Sequence, residues 1–356
     1  MRIEPCLPDS QAEWDAFCRA EPGAWFWHTS DWTAFMLASK PERVGRSLAF
    51  AVREGGELLA VVPLALDQDQ LMLAGAACWA PAVRADLDEA RAGQVLRLAL
   101  EHVDGIAEEH GAVRAAFQVS PLTASGFAPA ALRAGYADIS RTSQVLDLRA
   151  GAEALRRGLS KGHRAAVKRG TALFAVDALS GADATHAALH DFRALHEAAA
   201  GRQTRPPDTY DRMAEWAQRG DALLVLARDG DTSVGGSYLS VFNRRAYYSS
   251  AAIDRSRSHQ PIGHALQWAA IEWLLAHGVH TYELGLQQFG PVPHEVPTDK
   301  ERAISRFKRG FGGVLRHAPA YEKWYSATAF RAAGAARIDA YAAALERAAT
   351  ASDPPP

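Results

Sequence analysis

Ala246-Tyr247-Tyr248-Ser249-Ser250-Ala251-Ala252-Ile253, a polar loop from Asp254 to His259, then Gln260-Pro261-Ile262-Gly263-His264-Ala265: the fold turns on this passage. The first run is strand-like, rich in aromatic and small residues between polar loops. Pro261 stands where the first turn of a helix accepts proline. Ile262, Leu266, Ala269, Ala270, Trp273 and Leu274 then recur at helical spacing until Gly278 stops the helix. Val279 to Leu286 reads as a second strand. Strand, helix, strand in that order sets a helix N-terminus after a strand, where unpaired N–H groups and the helix dipole attract an anion. Gly263 would let a phosphate approach the backbone, and Ala265 keeps the rim low. The competing reading of Gln260, Gly263 and Ala265 is an ordinary helix start with a packing glycine.

Downstream lies a basic, glycine-rich run, Phe307-Lys308-Arg309-Gly310-Phe311-Gly312-Gly313. Phe307 and Phe311 would fix it as a turn, while the glycines at 310, 312 and 313 would let backbone N–H groups approach a ligand. Arg309 is a phosphate-binding candidate. A solvent-facing turn between strands is the plainer alternative.

Upstream, Leu223 to Leu239 reads as a hairpin around Arg228-Asp229-Gly230, and Leu48 to Leu64 as another around Arg53-Glu54-Gly55. Leu71 to Ala76 is a further strand candidate. Each hairpin precedes a long helix, one ending in His110-Gly111 and the other in His277-Gly278, and each helix precedes a strand (Val113 to Val119 in the first half). One α/β unit therefore occurs twice. The first copy has Asp88 and Glu89 at its helix start, where carboxylates would repel a phosphate. The second half thus holds the donor, and the first shapes the acceptor side.

Between the copies, Leu155 to Gly170 carries six Arg or Lys residues and no acid. From Ser160 it reads as a helix, with Lys161, Arg164 and Lys168 on one face. A solvated face is the ordinary reading of a charge run; without balancing acids, a phosphate-bearing partner competes with it. Arg202 and Arg205, in the loop Gly201 to Pro207, join these three as candidates for contact with an acceptor or with that phosphate-bearing partner. Residues 10–40 read as helical with a cluster of Trp and Phe expected in the core. Ala327 to Ala349 reads as a C-terminal helix, and a frayed tail is expected from Ser352.

A length of 356 residues suits two domains, and 48% hydrophobic residues supply their cores. A formal net charge of −2 excludes a globally basic nucleic-acid binder but not a local basic groove. Three cysteines without ligand spacing, no signal peptide and no transmembrane-length apolar run lead to the expectation of a cytoplasmic protein without metal.

The helix Leu159 to Gly170, the strand end Tyr282-Glu283-Leu284-Gly285 and Phe307-Lys308-Arg309-Gly310-Phe311-Gly312-Gly313 together resemble the Fem family of aminoacyl and peptidyl transferases and its FemAB-like acetyltransferase relatives. Gln-x-x-Gly-x-Ala at 260–265 likewise is similar to the pyrophosphate-binding pattern of GNAT acyltransferases. The resemblance spans about Trp14 to Trp324; the long coiled-coil arm of some Fem proteins is absent from the sequence. It implies an α/β (α+β) fold of two tandem GNAT-like domains, with mixed central sheets flanked by helices. The expected division is residues 1–150 as the acceptor side with a degenerate donor site, 151–326 carrying the donor site, and 327–356 as helix and tail. It also implies N-acyl transfer to an amine, with no tightly bound cofactor.

The co-substrate is an aminoacyl-tRNA, slightly favoured, or an acyl-CoA used on an amino sugar or small metabolite. A small-molecule or cell-envelope-precursor amine is the expected acceptor, tRNA the expected partner, and a monomer the expected state. By the resemblance Lys308 stabilises the oxyanion or the leaving oxygen. Glu283, at a strand end, is a candidate base and His264 a weaker one; Tyr248 and Tyr282 read as packing residues. A non-catalytic RNA- or glycan-binding descendant is the remaining alternative.

Overall fold

The computed structural model describes residues 1–350 apart from Pro41 and Ala124; the tail expected from Ser352 lies outside them. The second half is built on one seven-stranded sheet. Its order is Ala175–Leu179, Ala222–Asp229, Thr232–Phe242, Arg245–Ile253, Thr281–Gln287, Arg141–Asp147, Val314–Ala318. All neighbours are antiparallel except Arg245–Ile253 and Thr281–Gln287. That parallel pair needs a crossover, which the helix Ile262–Ala276 supplies. Leu266, Trp268, Ile271 and Leu274 bury that helix against Leu223, Val225 and Leu239 of the sheet.

The first half is less regular. The hairpin Phe50–Glu54 and Glu57–Val62 lies in a four-stranded sheet, while Arg114–Gln118 lies in another with Gln70–Leu71, Ala65–Asp67 and Val44–Ser47. The helix Glu89–Glu109, capped by Asp88, precedes Arg114–Gln118, which again runs parallel to earlier strands, Gln70–Leu71 and Cys78–Trp79. The shared motif is thus helix followed by parallel strand, and the break in the first sheet distinguishes the copies.

Two strands cross the divisions expected at 150 and 326. Arg141–Asp147 pairs inside the second sheet, and Ala320–Trp324 returns to pair with Arg114–Gln118 of the first half. An exchange of strands binds the halves by main-chain hydrogen bonds. A shared apolar core does the same: Trp14, Trp25, Phe26 and Phe35 pack with Trp216, Tyr238 and Phe242.

Three local expectations need correction. Leu71 to Ala76 is not a strand; beyond Leu71 the chain folds into a tight turn closed by a Leu73–Ala76 bridge, with Ala74 and Gly75 at positive φ. Residues 10–40 form two helices, Gln11–Ala20 and Ser30–Ser39, parted where Pro22-Gly23 interrupts the pattern. Phe307-Lys308-Arg309 is the end of a helix, Asp299–Arg309, rather than a turn. Thr298 and Glu301 form a reciprocal capping box that starts this helix.

Candidate active site

The parallel strands of the second sheet pair only through Arg245–Thr281, Ala246–Tyr282 and Tyr247–Glu283, then separate. On the other flank of Thr281–Gln287, the register with Arg141–Asp147 shifts between Gln144 and Val145. Gly285, at the bulge, has φ +98°, a conformation that favours glycine. Splay and bulge open the sheet at Glu283.

Glu283 is 3% exposed. Its Oε1 accepts a 2.6 Å hydrogen bond from the Ser143 hydroxyl, and its Oε2 has no hydrogen-bond partner among the described residues. Burial pushes its carboxyl up to about 7, against the opposing pull of Ser143 and Lys308. Lys308, in the last turn of Asp299–Arg309, lies over the bulge; its Nζ is 2.8 Å from where a Cβ on Gly285 would sit. Burial lowers its ammonium to about 8, and the charge of Glu283 resists that fall. A carboxyl and an amine whose ordinary values lie far apart are thus both brought near pH 7, each acting on the other's charge.

Glu283 lines a cavity of about 290 Å³ between the halves, together with Trp27, Trp79, Tyr247, Arg141 and Pro319. Trp27 stacks on Trp79 at 4.3 Å and meets Tyr247 edge-on at 4.5 Å. Arg141 is held by Glu295. A second chamber of about 250 Å³ shares Trp32, Met36 and Ser249 with the first, and Arg205 lines it beside Thr204 and Ser240. The Arg205 guanidinium lies over the rings of Phe35 and Tyr210 and pairs with no carboxylate among the described residues.

The other expected site residues are dispersed or engaged elsewhere. His264 packs edge-on to His163 at 4.6 Å and against Phe307 and Phe311; burial, then His163 and Arg169, push it down to about 4. It is a neutral member of an aromatic cluster. The start of Ile262–Ala276 is roofed. A Cβ on Gly263 would stand 3.3 Å from the Phe307 ring, Ala265 is fully buried, and Gly170 of the basic helix Lys161–Leu173 packs on Pro261 and Ala265. Gln260 is half-buried there.

Gly310 and Gly312 do not present backbone N–H groups to a ligand. Their N–H groups bond Arg306 and Arg309 carbonyls, and both glycines permit close packing, on His163 and on the Gly158 carbonyl. Arg309 donates to Gln287 and lies over Phe289. Arg164 donates to the Arg157 and Leu159 carbonyls, so it ties down the preceding helix end, whereas Lys161 and Lys168 are exposed. Arg202 is exposed and donates to the Gln203 carbonyl.

Sequence reasoning passed over Ser143, Tyr247, Trp27 and His163. Ser143 and Trp27 carry no local signal, because sheet exchange and domain packing bring them in. Tyr247 could have been found from strand alternation with Tyr248, whose ring belongs to the opposite face's core.

Residues 153–309 match the family model described as an acetyltransferase (GNAT) domain. No curated protein sequence matches the chain. Among solved structures, FemX is similar with a TM-score of 0.68 at 13% identity, over 94% of this chain and 100% of that one. L-PGS from Bacillus licheniformis gives 0.61 at 14% identity, over 94% and 98%. A tandem GNAT protein from the clavulanic acid biosynthesis pathway gives 0.53 at 15% identity, over 91% and 98%. The class follows at the level of the fold: residues 153–309 match a GNAT acetyltransferase domain, and the chain as a whole has the architecture of these tandem-GNAT structures. Within that class its architecture is FemAB-like.

Proposed function

We propose that the protein forms an amide on an amine held in the cavity between its halves, taking the acyl group from an aminoacyl-tRNA. The observation that carries this reading is Glu283, buried beside Lys308 with one oxygen unpartnered at the cavity wall. An amine arrives at neutral pH as an ammonium and must lose a proton before it can attack. Glu283, raised to about 7 by burial, is matched to accept that proton. The amine nitrogen then attacks the ester carbonyl carbon. Lys308 meets the developing oxyanion, where a fixed charge in a dry site stabilises the transition state more than the ground state. Collapse breaks the ester C–O bond; the leaving ribose oxygen takes the proton that Glu283 accepted, and the second proton of the former ammonium passes to solvent.

Two features favour the RNA donor. The helix start that would cradle the pyrophosphate of a coenzyme A is roofed by Phe307 and the basic helix. That helix also presents Lys161, Lys168 and Arg169 to solvent without acidic partners among the described residues. In this reading Arg205 meets the acceptor in the second chamber, and the first half shapes the acceptor side. The acetyltransferase model matched by residues 153–309 favours a second reading, acyl-CoA as donor. Incubation with a charged tRNA pool or acetyl-CoA, each with a panel of amines, separates the two by product mass. An aminoacyl increment supports the RNA donor; an acetyl increment alone overturns it.

A further inference from the structure

Ser160 to Gly170 and Phe307 to Gly313 are distant in sequence but joined through one side chain. His163, on the first turn of the basic helix, bonds the Phe307 carbonyl through Nε2 at 2.9 Å. A carbonyl only accepts, so Nε2 carries the proton. Burial lowers His163 and keeps the ring neutral near pH 7, which leaves Nδ1 to accept from the Ser160 hydroxyl at 3.1 Å. Both ring nitrogens are therefore used and the ring is fixed. Gly310 has no Cβ because that atom would fall within the His163 ring. The Ser160 N–H donates to the Gly310 carbonyl at 3.0 Å, and Gly312 packs on the Gly158 carbonyl. Phe307 and Phe311, on either side of Lys308, both pack against the same imidazole.

We infer that His163 is a positioning residue: by holding the Phe307 carbonyl and filling the space left at Gly310, it sets the helix end that aims Lys308 at Glu283. This rests on the reading of Lys308 as the oxyanion partner. The carbonyl it holds belongs to the residue before Lys308, and the glycine it fills lies two residues after. Side-chain placement at a reacting centre is steep in its effect, with about 100-fold lost for an error near 1 Å. The charge facing Lys308 is Glu283, on the strand against which its helix packs; the neutral His163 and His264 adjoin the flanking rings, and Arg306 and Arg309 share its helix.

The test uses the full chain with His163→Ala, His163→Gln, Gly310→Ala and the double variant His163→Ala/Gly310→Ala. Two quantities are read: kcat against KM, and the titration midpoint of the Lys308 amine. The midpoint comes from isotope-coded lysine labelling at graded pH with peptide mass spectrometry, independently of turnover. In the unaltered chain the midpoint is expected near 8. His163→Ala should loosen the helix end and raise it toward the ordinary 10.5. It should also lower kcat by about 10- to 100-fold with KM little changed. His163→Gln, which can still donate to the Phe307 carbonyl, should recover most of both. Gly310→Ala should mimic His163→Ala, and the double variant should be no worse than either single one, because both substitutions break the same ring-on-glycine packing.

An unmoved Lys308 midpoint in folded His163→Ala overturns the inference, as does full additivity in the double variant. Failure of the underlying reading would look different. Lys308→Ala would then turn over normally, while His163→Ala still moved the Lys308 midpoint.

Discussion

At the scale of single residues, Lys308 and Glu283 make separable demands. If Lys308 meets the oxyanion, Lys308→Ala should lower kcat by about 10²- to 10³-fold while donor and acceptor affinity stay within a few-fold. Lys308→Arg should recover only part, since a planar guanidinium places its charge differently. Steady-state kinetics at saturating substrate checks both. Glu283 must be ionised to accept a proton and Lys308 protonated to meet the oxyanion. The rate should therefore rise with pH through about 7 and fall above about 8, as the macroscopic steps of a coupled pair.

The same burial has a sign for stability. The folded carboxyl of Glu283 stands above its ordinary 4.5, so the native state holds the proton more tightly than the unfolded chain. Stability is lost as pH rises from about 4.5 through about 7. Glu283→Gln should therefore abolish most turnover yet raise stability at pH 8, by about 1–3 kcal/mol, readable as a higher Tm.

At the scale of elements, the basic helix combines two kinds of cation. Lys161 and Lys168 are exposed, and neutralising both should flatten the salt dependence of RNA binding by roughly one unit of log–log slope for each lysine that meets a phosphate. Arg164 is bonded to carbonyls at the end of the preceding helix, so Arg164→Ala should destabilise the fold more than it changes that slope. Filter binding across a salt series, with thermal melts, distinguishes them. The helices and the hairpins were legible in the sequence because their signals are local: period, cap and turn residues. The run 307–313 was misread because its glycines suggested a turn. The capping box at Thr298 and Glu301, the local signal for the helix, lies several residues upstream. The reason for glycine at 310 was not legible, since it is the ring of His163, far away in the chain.

At the scale of the whole molecule, the site exists because two halves share strands and a core. Arg245 shows how tightly. Its buried guanidinium donates to the carbonyls of Pro22, Ala24 and Leu122 in the first half, with no carboxylate bonded to it among the described residues, and burial pushes it down to about 10. It begins the strand that carries Tyr247. Arg245→Met should cost about 2–4 kcal/mol, because carbonyls are left unpaired, and should raise the KM for the acceptor by loosening the cavity wall. Urea unfolding and kinetics together check this. The tandem architecture was legible from the duplicated order of elements. The strand exchange was not, because pairing partners far apart in a chain leave no mark in local periodicity. Glu283 and Lys308 were nameable as candidates, one from its strand and the other from the resemblance; that they face each other, and that Ser143 and Trp27 lie with Glu283, comes only from the assembled fold.

The most direct measurement is single-turnover amide formation, followed by mass spectrometry, with a charged tRNA pool and a panel of amines, comparing the unaltered chain with Lys308→Ala and Glu283→Gln. Acyl transfer at the Glu283–Lys308 pair predicts an aminoacyl adduct on one class of amine, formed about 10²- to 10³-fold more slowly by Lys308→Ala and depending on pH through the step near 7 that Glu283→Gln removes. Adduct formed at the same rate by all three proteins would contradict it.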